Sequence, residues 1–354
     1  GSEDRFLVPV AKTGEGPLFL ALNRNKRSLT LNPTKPEGRE IVRELVKSAD
    51  VVIANLPQPT LVSMGIDYES LKAIKEDIIL TTVTAYGNGG PYSERVGFDG
   101  VAQALAGATY HGGRPGDPMK SFVPFADFGT ASLAAFGTMA ALYERQNTGQ
   151  GQLVEGALTR TVMAFNIALL GEEAVKGNDR PGYGNRGYSA GPSDTFKTRD
   201  GTVMVQIIGP AMFKRWADLM GEDHWLTDPR FATDLDRGEN GELLSARMQV
   251  WCMDKTTKEV LDALDVARIP CGPVLSAKQT LADPHIKAMD FLQDMEFPGM
   301  DKPAAITTTP VKLSRTPGTI RRRTATLGEH TDEILTELGY DTAAIAGLHK
   351  KRVA

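Results

Sequence analysis

Cysteine is almost absent. Cys252 and Cys271 are the only two in 354 residues, and no Cys or His set accompanies them. Neither a disulfide framework nor a zinc site is therefore encoded, and a reducing cytoplasm is the expected compartment. Histidine is scarce too: His111, His224, His285, His330 and His349 are scattered, with none in a paired i, i+4 arrangement, so no metal site is expected. Positive charge is in deficit, with Lys plus Arg at 40 against 44 Asp plus Glu and a net charge of −4. No excess positive field exists to attract nucleic acid, which is excluded as a partner. The opening residues lack the charged-then-apolar pattern of a secretory segment. Long hydrophobic runs are confined to Phe122–Tyr143, 22 residues with few charges. That run has the length of a membrane span but contains Pro124 and the carboxylate of Asp127, which is costly to ionise in lipid. It reads as a core helix starting just after Asp127, with no membrane partner.

What is present is an ordinary globular composition, 41% hydrophobic and 24% charged, long enough for about two domains. Pro17–Leu22 and Ser28–Leu31 read as short extended pieces around the polar run Asn23-Arg24-Asn25-Lys26-Arg27. Ile41, Val42, Leu45 and Val46 then recur at helical spacing, Val51–Ile53 and Ile78–Val83 are short β-branched strands, and Tyr68–Lys75 between them is helical. This alternation predicts a parallel sheet covered by helices. From Asp194 the grammar changes to a hairpin, Thr195–Thr198 and Val203–Ile207 about the turn Arg199-Asp200-Gly201. Helices over 213–220, 243–252 and 258–264 follow, with a strand near Gly272-Pro273-Val274. The last fifty residues return to short strands and a helix at Thr331–Leu338. The expected plan is α/β: a large Rossmann-like domain over 1–189, a small α+β domain over 190–300, and a return to the large domain over 301–354.

Several motifs invite chemistry. Gly182-Tyr183-Gly184-Asn185-Arg186-Gly187 matches G-x-G-x-x-G, but that fingerprint works only between a strand and a helix, and neither flank has that character. Gly187-Tyr188-Ser189-Ala190-Gly191 matches a nucleophile elbow, yet Pro192 and the hairpin behind it deny the required helix. Both fit a flexible glycine loop better. The Gly89-Gly90-Pro91 and Gly112–Gly116 segments are turn chemistry first and oxyanion donors second. Arg24, Lys26 and Arg27 could clamp phosphates or could form a solvated loop. Asp127 stands where an apolar loop meets an apolar helix. Periodicity favours an N-cap there over catalysis, and the two roles are compatible, because the helix dipole favours an ionised carboxylate.

The ordered segments Asn23–Ser28, Ala49–Asn55, Tyr86–Pro91, Gly97–Ala104, Asp127-Phe128-Gly129, Ala140–Gln152, Asp228–Phe231, Gly272–Val274, Asp283-Pro284 and Leu327–Thr331 resemble family III CoA-transferases, the CaiB/BaiF group. The resemblance spans nearly the whole chain. It implies a Rossmann-like large domain built from both chain ends, a small central domain, and a homodimer whose two subunits interlock. It also places Asp127 at the position of the family's nucleophilic aspartate, with Asn55, Arg24, Lys26 and Arg27 as contacts to coenzyme A. Acyl-CoA and a small carboxylic acid are then the substrates, and no permanently bound cofactor or metal is needed.

Three departures accompany the resemblance. Family members begin with a further strand, loop and helix, and this sequence starts after them. Their acidic-Asn-Phe and Arg-Pro-Gly pattern is here Ala54-Asn55-Leu56-Pro57-Gln58-Pro59, from which only Asn55 carries over. The glycine loop that shields the intermediate in formyl-CoA transferases has no clear counterpart, unless Gly182–Gly191 does similar work. The group also includes 2-methylacyl-CoA racemases, which carry His at the middle of the segment matching Gly97-Phe98-Asp99. Phe98 cannot accept a proton, so a racemase is the second reading, and a CoA-binding protein without transfer activity the third.

Overall fold

The computed structural model describes residues 2–354. Helix α1 spans Pro17–Leu22, where an extended piece is expected from sequence. Pro17 at the first helical position presets φ, and Leu20 turns inward onto Ala11 and Phe297. A six-residue apolar run is too short for periodicity to separate the two states. Ser28–Leu31 carries neither helix nor strand. Next come α2 (Pro36–Ser48), β1 (Val51–Ala54), α3 (Gln58–Met64), α4 (Tyr68–Ile74) and β2 (Ile79–Thr84). The α4 helix is capped by Asp67, whose carboxylate accepts the Ser70 N–H at 3.1 Å. β1 and β2 run parallel, Val51 opposite Ile79 through Ala54 opposite Thr82, as the alternation predicts.

Helices α5 (Asp99–Leu105) and α6 (Ala108–Gly112) lead to α7, which spans Phe125–Thr148. α7 starts two residues before Asp127 rather than just after it, so Asp127 lies inside the first turn and is not its N-cap. Nor is α7 a core helix of this chain: only 28% of its most apolar window is buried. Phe136, Met139 and Tyr143 are 74%, 63% and 71% exposed. An apolar composition states that a face must be covered, without stating that the same chain covers it. At its far end Arg145 pairs with Asp50 at 2.8 Å and donates to the Asp77 carbonyl at 3.2 Å, fixing the helix to the segments that lead into β1 and β2.

Strand β3 (Leu153–Ala157) completes a sheet of order β1-β2-β3 and is followed by α8 (Leu158–Phe165) and α9 (Ile167–Lys176). From Gly177 to Pro192 the chain is irregular, so neither glycine motif sits between a strand and a helix. The hairpin of β4 (Ser193–Lys197) and β5 (Thr202–Gln206) is antiparallel as expected. Helices α10 (Pro210–Met220), α11 (Asp234–Glu239), α12 (Gly241–Met253) and α13 (Thr257–Val266) precede β6 (Cys271–Pro273), which pairs with β5. Trp216, Phe196, Val203, Met248 and Leu264 form the core of this region.

The remainder comprises α14 (Ala277–Ala282), α15 (Pro284–Ala288), the antiparallel pair β7 (Leu292–Met295) and β8 (Ala304–Thr307), α16 (Thr331–Glu337) and α17 (Thr342–Lys350). The chain separates into two compact units. One comprises Gly1–Thr82, Phe136–Val154 and Ala277–Ala354, and the other Val83–Ala135 and Glu155–Ser276. In the first, Ile41 of α2 packs with Leu335, Ile345, Leu348 and Val353, so early and late parts of the chain share one core.

Candidate active site

The start of α7 is held by α5. Asp99, the first residue of α5, is nearly buried, and its Oδ2 accepts the backbone N–H of Ala126 at 2.8 Å and of Asp127 at 3.1 Å. Those are two of the amides that a helix start leaves without an intrahelical partner. One turn further along α5, fully buried Gln103 donates to Asp99 Oδ1 and accepts the Ser121 N–H at 2.9 Å. The loop entering α7 and its first turn are thus fastened to one face of α5.

The opposite side of that turn rests on α8. Thr130 Oγ1 donates to the Ala126 carbonyl at 2.6 Å and lies 2.7 Å from Thr161 Oγ1. Gly129 permits the approach: a Cβ there would sit 2.7 Å from Phe165 Cε2 and 3.1 Å from Thr161 Cγ2. Glycine costs about 1 kcal/mol in a helix interior, and here close packing requires it.

Because Asp99 supplies the cap, the Asp127 carboxylate has neither hydrogen bond nor ion pair among the described residues. The side chain opens to solvent on its outer face, while protein atoms on its inner side strip water from it. This desolvation, followed by the negative charge of Asp99, holds the Asp127 carboxyl above its ordinary value. The direction is opposite to what the helix dipole alone would give.

The predicted phosphate contacts occupy the first unit, whereas Asp127 belongs to the second. Arg24 donates to the carbonyls of Ala21 at 2.9 Å and Thr307 at 2.7 Å, and Lys26 to Asn23 Oδ1 at 3.1 Å. Arg27 is bidentate on Glu337, at 2.7 and 2.9 Å, and reaches Glu333 at 2.8 Å. Asn55 follows β1 and is exposed. The segment Gly112–Gly116 behaves as a turn, with Arg114 and Asp117 bridged and Gly116 at φ 76°. Ser189 lies in the irregular loop between α9 and β4, without the preceding strand and following helix of a nucleophile elbow. Asp99 and Gln103 are the site residues that sequence reasoning missed. Their i, i+4 spacing on α5 was visible, but not that they hold backbone N–H groups 18 to 28 residues on.

Comparison with known proteins shows the family to which the chain is similar. The sequence profile of CoA-transferase family III matches residues 1–331. The succinyl-CoA:D-citramalate CoA-transferase of Chloroflexus aurantiacus is 32% identical, with 94% of this chain and 83% of that protein covered. A formyl-CoA:oxalate CoA-transferase of Bradyrhizobium is also 32% identical over the same shares. The crystal structure of a CaiB/BaiF family protein from Brucella suis superposes with a TM-score of 0.81 at 31% identity, covering 96% of this chain and 89% of that one. A profile match that begins with the first residue and runs past the loop before α16, together with relatives that share both sequence and fold, places the chain in CoA-transferase family III.

Proposed function

We propose that Asp127 carries the acyl group and then CoA, moving CoA from an acyl-CoA donor to a small carboxylic acid. The observation that carries this reading is the free Asp127 carboxylate at a helix start capped by another residue. An Asp127 oxygen attacks the thioester carbonyl carbon, the C–S bond breaks, and CoA leaves as thiolate, giving a mixed anhydride. The thiolate attacks the aspartyl carbonyl and expels the donor acid, leaving Asp127 as a CoA thioester. The acceptor carboxylate attacks that thioester, releasing the thiolate and forming a second anhydride. Thiolate attack on the acceptor's acyl carbon then frees both the new acyl-CoA and the Asp127 carboxylate. Every bond broken is matched by one formed, and no proton or electron is left over.

Arg24, Lys26, Arg27 and Asn55 serve as contacts to CoA in this reading. The named substrates of the relatives, succinyl-CoA with citramalate and formyl-CoA with oxalate, favour short acyl donors and small carboxylate acceptors here. We place the enzyme in the cytoplasm, where the free thiols Cys252 and Cys271 stay reduced, and propose that it works as a homodimer.

Incubation with acyl-CoA followed by hydroxylamine or borohydride should modify Asp127, as read by peptide mass spectrometry. Asp127→Ala should lower transfer by about 10³-fold or more. Unchanged transfer in that variant ends the proposal, as does labelling of Ser189 by a fluorophosphonate. Binding of CoA with no exchange among a panel of acyl-CoA donors and acids would identify a CoA-binding protein instead.

A further inference from the structure

Residues 302–328 contain Lys302, Lys312, Arg315, Arg321, Arg322 and Arg323 and not one Asp or Glu. Residues 16–36 are likewise free of acids while carrying Arg24, Lys26, Arg27 and Lys35. In a chain of net charge −4, two acid-free basic stretches are an asymmetry, and within the first unit the fold joins them. Arg24 holds the Thr307 carbonyl, where β8 ends. Its neighbour Asn25, at φ 64°, donates to the Thr319 carbonyl at 2.8 Å and accepts the N–H groups of Arg321 and Arg322 at 2.7 and 3.0 Å. The Asn25 N–H donates in turn to the Arg322 carbonyl at 3.0 Å. Two adjacent residues thereby clamp both ends of the strap 308–320. Its legs touch, since a Cβ on Gly318 would lie 2.5 Å from Thr309 Oγ1.

The clamp brings the backbone at Arg321 and Arg322 beside Lys26. Among the described residues Arg323 pairs with Glu329 and Arg27 with Glu333 and Glu337, whereas Arg24, Lys26, Arg321 and Arg322 form no ion pair. Lys26, Arg321 and Arg322 are exposed, and Arg24 adds a positive charge that only carbonyls face. Glu337, held by Arg27, lies within electrostatic reach of Arg322 without pairing with it, and exposed cations outside any ion pair on a preorganised backbone suit a compact group of phosphates. The negative net charge disfavours a long polyanion.

We infer that Arg321 and Arg322, set beside Lys26 by the Asn25 clamp, bind the phosphates of the CoA substrate. This rests on the CoA reading above and adds residues from the far end of the chain to it. The clamp uses backbone amides and the Asn25 side chain, so Arg321→Gln with Arg322→Gln removes the charges and leaves the clamp.

Calorimetric titration of the full chain should show the double variant binding CoA about 10-fold more weakly than the parent, with pantetheine, which lacks the phosphates, bound equally by both. Inorganic pyrophosphate should compete with CoA in the parent, and Lys302→Gln should bind CoA as the parent does. CoA affinity within twofold of the parent's overturns the inference, and so does an equal weakening toward pantetheine. Tighter binding of a single-stranded oligonucleotide than of CoA, lost in the double variant, overturns it in favour of nucleic acid. A parent that binds CoA without transferring it ends the transfer reading alone, because the binding comparison still decides this one. A parent that binds no CoA overturns both.

Discussion

The carboxylate of Asp99 accepts the backbone N–H of Asp127 at 3.1 Å while the Asp127 carboxylate itself is left without a partner. One acid does the structural work at the helix start, and the other keeps its carboxylate free for the chemistry proposed above. Desolvation first, and then the negative charge that this proximity places next to Asp127, raise its pKa.

The proposed attack by Asp127 requires its ionised form, so kcat/KM should fall on the acid side with an apparent pKa above the ordinary aspartate value. Asp99→Asn removes one cause of that elevation and should move the acid limb to lower pH. The amide keeps one acceptor oxygen for the two backbone N–H groups but sets its NH2 against the buried Gln103 NH2, which loses its acceptor, so the fold should lose about 1–3 kcal/mol. A pH-rate profile that stays in place or moves upward would contradict the assignment.

The same shift predicts a trade of stability against activity. A carboxyl with a raised folded-state pKa adds full stability below its unfolded value, and that contribution is lost as pH rises through the folded value. At pH 7 the charge is therefore destabilising, and Asp127→Asn should raise Tm while abolishing transfer. The difference in Tm should vanish below about pH 3.8, the ordinary value for the group. Thermal melts of both proteins across pH test the sign; a lower Tm for the variant at pH 7 would reverse it.

Gly129→Val should push the first turn of α7 off Phe165 and Thr161. Overpacking of this kind costs about 1–3 kcal/mol, and a displacement of about 1 Å at Asp127 can lower kcat about 10²-fold. Gly129→Ala should show the same effects more weakly. Steady-state kinetics beside urea melts would separate the two losses, and a Val variant with parental kcat would show that the close approach is dispensable.

Phe98 separates transferase from racemase. Removing an α-proton on each face of a carbon requires a base on each face, whereas CoA transfer leaves that proton untouched. In deuterium oxide the enzyme should move CoA between acids without washing deuterium into C2 of a 2-methylacyl-CoA. Rapid incorporation with inversion, seen by NMR, would falsify the transferase assignment in favour of a racemase.

Phe136, Met139 and Tyr143, spaced by three and four, put exposed apolar surface on one face of α7. If a second copy covers this face, the parent should sediment as a dimer at nanomolar concentration. Phe136→Glu with Tyr143→Glu should then yield monomers or insoluble protein. A parent that sediments as a monomer sinks the dimer proposal.

Local patterns alone determined much of this protein. Val51–Ala54 and Ile79–Thr84 are short and β-branched, the hairpin at 193–206 carries its turn residues, and α2 shows its apolar face at helical spacing. Each is specified by neighbours in sequence, so each could be read there. Asp127 could be found as well, because a carboxylate at the edge of an apolar run is conspicuous. Its role could not be separated from capping until Asp99, across 28 positions of sequence, was seen to hold the helix start. A cap is a contact between backbone and side chain, and nothing in spacing tells which distant side chain makes it. The same holds for Asn25 and the strap near Arg321, joined across 296 positions, and for α7, whose apolar composition fixed its need for cover but not the surface that provides it.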